Sequence, residues 1–276
     1  MADNGEVKLK VIRIMRNGDS GKGVMLHDPF GSQIAQSRVT TTAGEVEIPA
    51  IFRDGSVLGL VYRVEPGAAQ ELIGSRHFDP LLVFGRAVAL LAVFEHRDFS
   101  GGAYNEVALS LLVRRSGTTV SALRFSIQPR TIEDAALMVV NLAVNTHIAV
   151  VAGIELWGYP KYLAEITTNF QRNRVDVSIN SEFSLTHSSG IGCSIKCPPL
   201  ATYSIKEDRI IRTVIECAHR IRLGGARSVS MEVLGPGPTA DSLRNLGLAG
   251  VRPWLAFRSD AERMILPLGR EIGTGS

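Results

Sequence analysis

The chain has 276 residues, 45% of them hydrophobic and 21% charged, enough to bury one large core or two small ones in the manner of an ordinary globular protein. Its 30 lysines and arginines and 27 carboxylates leave a formal charge of +3, and the two signs interleave without a Lys/Arg block, which argues against nucleic acid as a partner. Three cysteines, Cys193, Cys197 and Cys217, are too few and odd in number for a disulfide framework and read as reduced thiols of a cytoplasmic protein.

Residues 1–44 are polar and irregular, with Asp19-Ser20-Gly21-Lys22-Gly23 in their middle, and are expected to form a partly ordered arm. No basic patch followed by an apolar run opens them, so no secretory signal is expected. From Glu45 the pattern becomes strand-like: Val46-Glu47-Ile48 alternates, and residues 57–64 are a rich β run. Pro66–Ile73 reads as a short helix with proline at its start. Strands are predicted at about residues 81–94 and 106–114, around a turn at residues 99–103. Thr131-Ile132-Glu133-Asp134 looks like a helix start with carboxylates in its first turn. The stripe Ala136, Val139, Val140, Ala143, Val144 then predicts a helix that His147 closes as a structural residue. The apolar region 135–151 is broken by Asn141, Asn145, Thr146 and His147, which makes it a poor membrane span.

Strands are predicted again at residues 166–170 and 174–179. The spacing of Cys193 and Cys197 is loop-like, with only His187 and His219 nearby and no paired-cysteine knuckle, so no metal is expected there. Gly235-Pro236-Gly237-Pro238 is a rigid turn with none of the surroundings of a phosphate loop. Residues 239–246 form a short capped helix, and a last strand is expected near residues 261–267. Many short strands and few helices, with no repeat and no linker, imply an α+β fold dominated by antiparallel sheet, with residues 45–276 as one domain.

The segment that points to chemistry is Gly153-Ile154-Glu155-Leu156-Trp157-Gly158-Tyr159-Pro160-Lys161-Tyr162-Leu163. Burial among aromatic and apolar side chains disfavours an ammonium ion, and a neutral lysine attacks ketones to form a Schiff base. The competing reading of Lys161 is a surface lysine whose stem covers apolar neighbours.

This segment resembles the acetoacetate decarboxylase family. Gly153, Glu155 and Tyr159-Pro160-Lys161 match the family's Gly-x-Glu and aromatic-Pro-Lys pattern, in which the lysine forms the Schiff base. Upstream, Gly102-Ala103-Tyr104-Asn105-Glu106 resembles the family's Tyr-x-Glu segment, whose glutamate faces the active site. Val61-Tyr62-Arg63 and Ile265-Leu266-Pro267 are similar as well, so the likeness runs from about Glu45 to Arg270. It implies a cone-like β-barrel, no metal or organic cofactor, and a homo-oligomer.

The departures matter too. Tyr162 stands where the decarboxylases carry a second lysine. Gly55 falls where they carry an arginine, with Arg53 two residues away. Leu91 falls on a further active-site glutamate, with Glu95 close. Lys161 and Glu106 carry over as nucleophile and proton shuttle. Arg53 is a candidate for a substrate carboxylate, through its planar fork, or a solvated turn residue. Glu155 is an acid–base candidate or a loop anchor, and Tyr104 and Trp157 line the pocket or fill core. The expected function is a lyase acting on a small oxo acid, by aldol and dehydration chemistry or by decarboxylation. The alternative is an inactive small-molecule-binding or scaffold protein with the same fold.

Overall fold

Valine, leucine and alanine crowd both parities of the chain's middle, the pattern of strands covered on both faces. The computed structural model describes residues 34–188, 192–224 and 228–273. A hairpin of β1 (Ser37–Thr41) and β2 (Gly44–Ile48) leads into the long β3 (Ala50–Val64), the helix α1 (Pro66–Ile73) and the short β4 (Phe78–Pro80). Then come β5 (Ala87–Phe99), β6 (Tyr104–Arg115), α2 (Ala122–Ile127), β7 (Ala135–Val144), α3 (His147–Trp157) and β8 (Lys161–Leu163). A meander of β9 (Ile166–Gln171), β10 (Arg174–Ile179) and β11 (Phe183–Ser188) follows. The chain continues through β12 (Cys193–Lys196), β13 (Leu200–Lys206), β14 (Arg209–Cys217), β15 (Arg220–Gly224) and β16 (Val229–Val233) to α4 (Pro238–Asn245). It closes with β17 (Leu255–Ser259), β18 (Met264–Leu266) and β19 (Arg270–Ile272).

Seven of these strands close a barrel in the order β3, β5, β6, β7, β13, β14, β18 and back to β3. Every neighbouring pair is antiparallel except β7 with β13. This is the α+β barrel with a few short helices that the sequence implied. Alternation along each strand sorts the side chains. Ala92, Phe94, Ala108, Val139 and Leu142 belong to the interior cluster. Leu91, Val93, Val107, Leu109 and Leu111 point outward and pack with Val175, Val177 and Phe183 of the meander and Leu243 of α4. The wall is therefore buried on both sides, and each fully covered leucine contributes about 1.5–3 kcal/mol. Inside, small residues such as Ala92 and Ala108 leave room.

Residues 135–144 are a strand, β7, and not the expected helix. A strand with two apolar faces also satisfies the i, i+3, i+4 spacing of a helical stripe, and the β-branched Val139, Val140 and Val144 tip the balance. The segment before it is a turn whose carbonyls at Pro129 and Ile132 accept from Arg212. The helix lies one segment later, as α3, and His147 begins it. The strand predicted from residue 81 starts at Ala87, α2 was not foreseen, and β19 follows the strand expected to be last. Of the expected arm, residues 34–44 are described and hold β1 and the start of β2, paired from Ser37↔Ile48 to Thr41↔Gly44. Residues 1–33 lie outside the described residues. No helix among the described residues is long and apolar enough to cross a membrane.

Candidate active site

The Lys161 segment is shaped by the end of α3. Gly158 closes the helix at φ 67°, where a side chain is strained, and its N–H donates to Ile154 O. The chain then turns so that Leu142 N–H donates to Pro160 O, and β8 runs parallel to β7 with Lys161 beside Leu142. Glu106 lies on the far side of β7, opposite Val144. From these two strands the side chains meet inside the barrel: Lys161 Nζ is 2.9 Å from Glu106 Oε2, with side-chain exposures of only 8% and 13%. The stem of Lys161 runs over Gly153 of α3. A Cβ there would lie 2.3 Å from Lys161 Cδ and 2.6 Å from Cε. The glycine of the motif thus makes space for the lysine.

Tyr104 completes the pair. Its ring centroid is 5.5 Å from Nζ, and its hydroxyl donates to Glu106 Oε2 at 3.3 Å. Burial first, then the charges of Glu106 and Glu262, push the Tyr104 phenol well above its ordinary value, so it stays a donor. Tyr159 is buried, its hydroxyl 2.7 Å from Thr202 Oγ1, and burial pushes it up to about 12. Around these groups lies a cavity of about 90 Å³ with largely apolar walls, into which His96, Ser110 and Thr202 also reach. His96 is 2% exposed, its ring 4.7 Å from that of Tyr104, and its Nδ1 lies 3.4 Å from Oε2 of the fully buried Glu262. No local pattern in the sequence marks His96 or Glu262. They are 166 positions apart, and only barrel closure joins them.

The other candidates stand elsewhere. Arg53 follows the inward Phe52 and so points outward, to Gln36 at 3.4 Å and Asp98 at 3.9 Å. Glu155 accepts from Thr42 N and Thr42 Oγ1, which makes it an anchor for the β1–β2 turn. Trp157 is core, with its Nε1–H donated to Pro267 O at 2.7 Å. Glu95 pairs with Arg97, and Leu91 packs against the outer cluster. Tyr162 alternates away from Lys161 and bonds Thr239 at 2.8 Å and Glu182 at 3.2 Å, so a cation at this position would face away from the amine. Among the described residues lining the cavity there is no arginine and no second lysine.

One set of metal-type donors comes together among the described residues: Cys197, Cys217 and His219, all buried, with donor atoms within 4.8 Å of one another. Cys193, whose spacing to Cys197 the sequence offered, is exposed and is not one of the three. The hydrogen bond from Cys217, opposed by burial and helped by His219, holds the Cys197 thiol below its ordinary value. The same contact and burial push Cys217 up. For His219, burial is outweighed by Cys197, the backbone of Arg263 and Glu262, and the imidazole is raised.

The sequence profile of acetoacetate decarboxylase (ADC) matches residues 37–191, more than half of the chain. No curated protein sequence matches the chain. Among solved structures, the acetoacetate decarboxylase of Legionella pneumophila subsp. pneumophila str. Philadelphia 1 is similar, with a TM-score of 0.58 at 16% identity over 94% of this chain and 98% of that one. The enduracididine biosynthesis enzyme MppR complexed with pyruvate gives 0.57 at 16% identity, over 90% of this chain and 96% of its own. MppR complexed with the condensation product of pyruvate and imidazole 4-carboxaldehyde also gives 0.57 at 16%, over 95% and 99%. At these identities the likeness is one of fold.

Proposed function

The chain belongs to the acetoacetate decarboxylase family, and on that premise we propose that it is a Schiff-base enzyme acting on a small 2-oxo acid, with Lys161 as nucleophile and Glu106 as the proton carrier. The observation that carries this reading is the enclosed pair of Lys161 and Glu106 at 2.9 Å. A proton passing from the ammonium to the carboxylate across that contact leaves a neutral amine beside a carboxylic acid. The amine attacks the substrate ketone. Glu106, now an acid, protonates the departing hydroxyl, and water leaves as the imine forms. The protonated imine then draws electrons from the neighbouring carbon. Glu106, again a carboxylate, accepts a proton from that carbon and an enamine results. The enamine is either reprotonated or adds to an aldehyde, and hydrolysis of the imine returns the amine.

Tyr104 steadies the Glu106 carboxylate in this scheme, and His96, held by Glu262, offers a second proton-bearing group on the cavity wall. The cavity residues favour enamine chemistry over decarboxylation. With no arginine among them, nothing cationic besides Lys161 holds a carboxylate in the orientation that bond cleavage needs. MppR, which carries pyruvate and a pyruvate condensation product, points the same way. The working form is taken to be a cytoplasmic homo-oligomer, as in the family, which light scattering checks.

Pyruvate with borohydride should add mass to the peptide containing Lys161. The protein should also exchange pyruvate methyl protons with deuterated water, while releasing little carbon dioxide from acetoacetate. An unmodified Lys161 across a panel of oxo acids would favour the inactive binding barrel. Rapid acetone formation without exchange would favour decarboxylation.

A further inference from the structure

The barrel interior holds a second polar cluster that the Lys161 chemistry does not use. β12 and β15 pair up to Lys196↔Arg220, and the next rung is Cys197 N–H donating to His219 O at 3.0 Å. Cys197 and His219 are therefore opposite one another across the ladder. Cys217 ends β14, and the short bend that leads into β15 carries His219 two residues later, with the donor atoms of the two within 4.8 Å. All three residues line a second cavity of about 190 Å³ whose walls are otherwise apolar. That cavity shares Leu90, Ala92, Phe94, Leu137, Leu200 and Met264 with the Lys161 cavity.

We propose that Cys197, Cys217 and His219 bind one zinc-type divalent ion, with its fourth position open to this apolar cavity. Four observations support the assignment. The donor types, two thiols and an imidazole, are those that select zinc over magnesium or calcium. Their atoms lie within 4.8 Å of one another, a gap that metal–donor bonds of about 2.0–2.3 Å close with small side-chain rotations. His219 is already oriented as metal-bound imidazoles are. Its Nδ1 lies 3.1 Å from the Arg263 carbonyl and 3.2 Å from the Arg263 amide, and in the tautomer whose Nδ1–H donates to the carbonyl, Nε2 is free of its proton for the cluster. Finally, Glu262, which precedes the Arg263 backbone that engages His219, is fully buried, and its Oε1 has no hydrogen-bond partner.

Charge chooses the valence. On binding, the two sulfurs serve as thiolates and the imidazole as the neutral base; their electron pairs go to the metal, and whatever protons the three donors still carry leave to solvent. Two thiolates then cancel a divalent ion, so the apolar interior gains no net charge, whereas a monovalent ion would leave one negative charge uncompensated. Three protein ligands with one open position is the arrangement of ligand-binding and catalytic zinc, unlike the closed four-ligand structural site. The assignment does not depend on Schiff-base formation at Lys161.

The test is titration of the reduced full-length protein with cobalt(II), a spectroscopic substitute for zinc. Thiolate-to-cobalt charge transfer and tetrahedral d–d bands should saturate at one ion per chain, and zinc should displace them. Cys193→Ser should leave the bands unchanged, while Cys197→Ser, Cys217→Ser or His219→Ala should weaken binding by at least about 100-fold, the upper end of what losing even an outer-sphere partner costs. Should those variants fail to fold, X-ray absorption of the zinc-loaded wild type decides, with two sulfurs and one imidazole expected around the metal. No charge-transfer band in the wild type, bands that survive Cys197→Ser, a zinc shell without sulfur, or a Cys197–Cys217 disulfide as the resting form would each overturn the proposal. Borohydride trapping at Lys161, run on the same samples, reads the other site separately.

Discussion

Two ion pairs in this molecule have almost the same length and opposite surroundings. Arg97 Nε meets Asp54 Oδ2 at 2.8 Å on the rim, with side-chain exposures of 36% and 54%. Lys161 meets Glu106 at 2.9 Å inside the barrel, at 8% and 13%. Distance alone would rank them equal. In water the rim pair gains little over its hydrated ions, typically under about 1 kcal/mol. Removing one partner of an enclosed pair leaves an uncompensated charge and costs about 3–5 kcal/mol, so the fold retains such a pair at a price. A proton that moves between the two inner partners converts them to neutral amine and acid, which is the state the proposed chemistry starts from. The outer pair has no comparable use, because a guanidinium does not give up its proton.

The largest expected effect breaks the inner pair on its nucleophilic side. Lys161→Ala should abolish the borohydride-trapped pyruvate adduct, since no other lysine is found among the residues lining the cavity. Circular dichroism should show a folded protein, because the alanine fits the site and Glu106 can take up a proton. An adduct of equal yield in the variant would sink the assignment. Glu106→Gln comes next. It keeps the shape of the side chain and removes the proton carrier, so pyruvate proton exchange should slow by about 100- to 10,000-fold. A rate within a factor of two of wild type would mean that another group, with His96 the first to examine, moves the protons.

A third substitution sharpens the comparison by moving the lysine without changing it. Gly153→Ala places a methyl group 2.3 Å from Lys161 Cδ, inside any tolerable contact, and the enclosed stem has little room to yield. A displacement on the order of 1 Å from the reacting geometry costs roughly 100-fold in rate. Trapping should therefore slow by about that factor, while the denaturation midpoint changes much less. Unchanged trapping kinetics would show that the stem re-routes freely.

What was legible in the sequence follows from how far each signal reaches along the chain. Lys161 and Glu106 sit in short segments, each with its own residue pattern, and the structure brings both to one cavity. Arg53 was placed by proximity to an aligned position, but a strand reverses its side chain at each residue, and one step from Phe52 turns it outward. Glu155 and Trp157 lie in the right motif yet on faces of α3 that meet the β1–β2 turn and the chain after β18. β7 read as a helix because apolar residues on both faces of a strand fill helical spacing too. The cluster of Cys197, Cys217 and His219, like the contact of His96 with Glu262, was out of reach for a different reason. Cross-strand pairing creates these neighbours, and spacing along the chain does not record it.

The smallest expected effect tests the outer pair, and its pH dependence has a definite sign. The hydrogen bond from Arg97, working against slight desolvation and joined by the guanidinium charge, holds the Asp54 carboxyl below its ordinary value. A carboxyl lowered on folding stabilises the native state above its unfolded value of about 3.9 and loses that contribution as pH falls through the lower folded value. Asp54→Asn should therefore cost less than about 1 kcal/mol near neutral pH, given how exposed the pair is. The gap between variant and wild type should shrink below about pH 4. Added salt should narrow it at neutral pH as well, because the partners face water. Urea midpoints for both proteins, at neutral and acid pH and at two ionic strengths, read all three expectations. A gap that persists in acid and in salt would mean that Asp54 acts through the β3 bulge it occupies and not through its charge. The two ion pairs would then differ in kind as well as in burial.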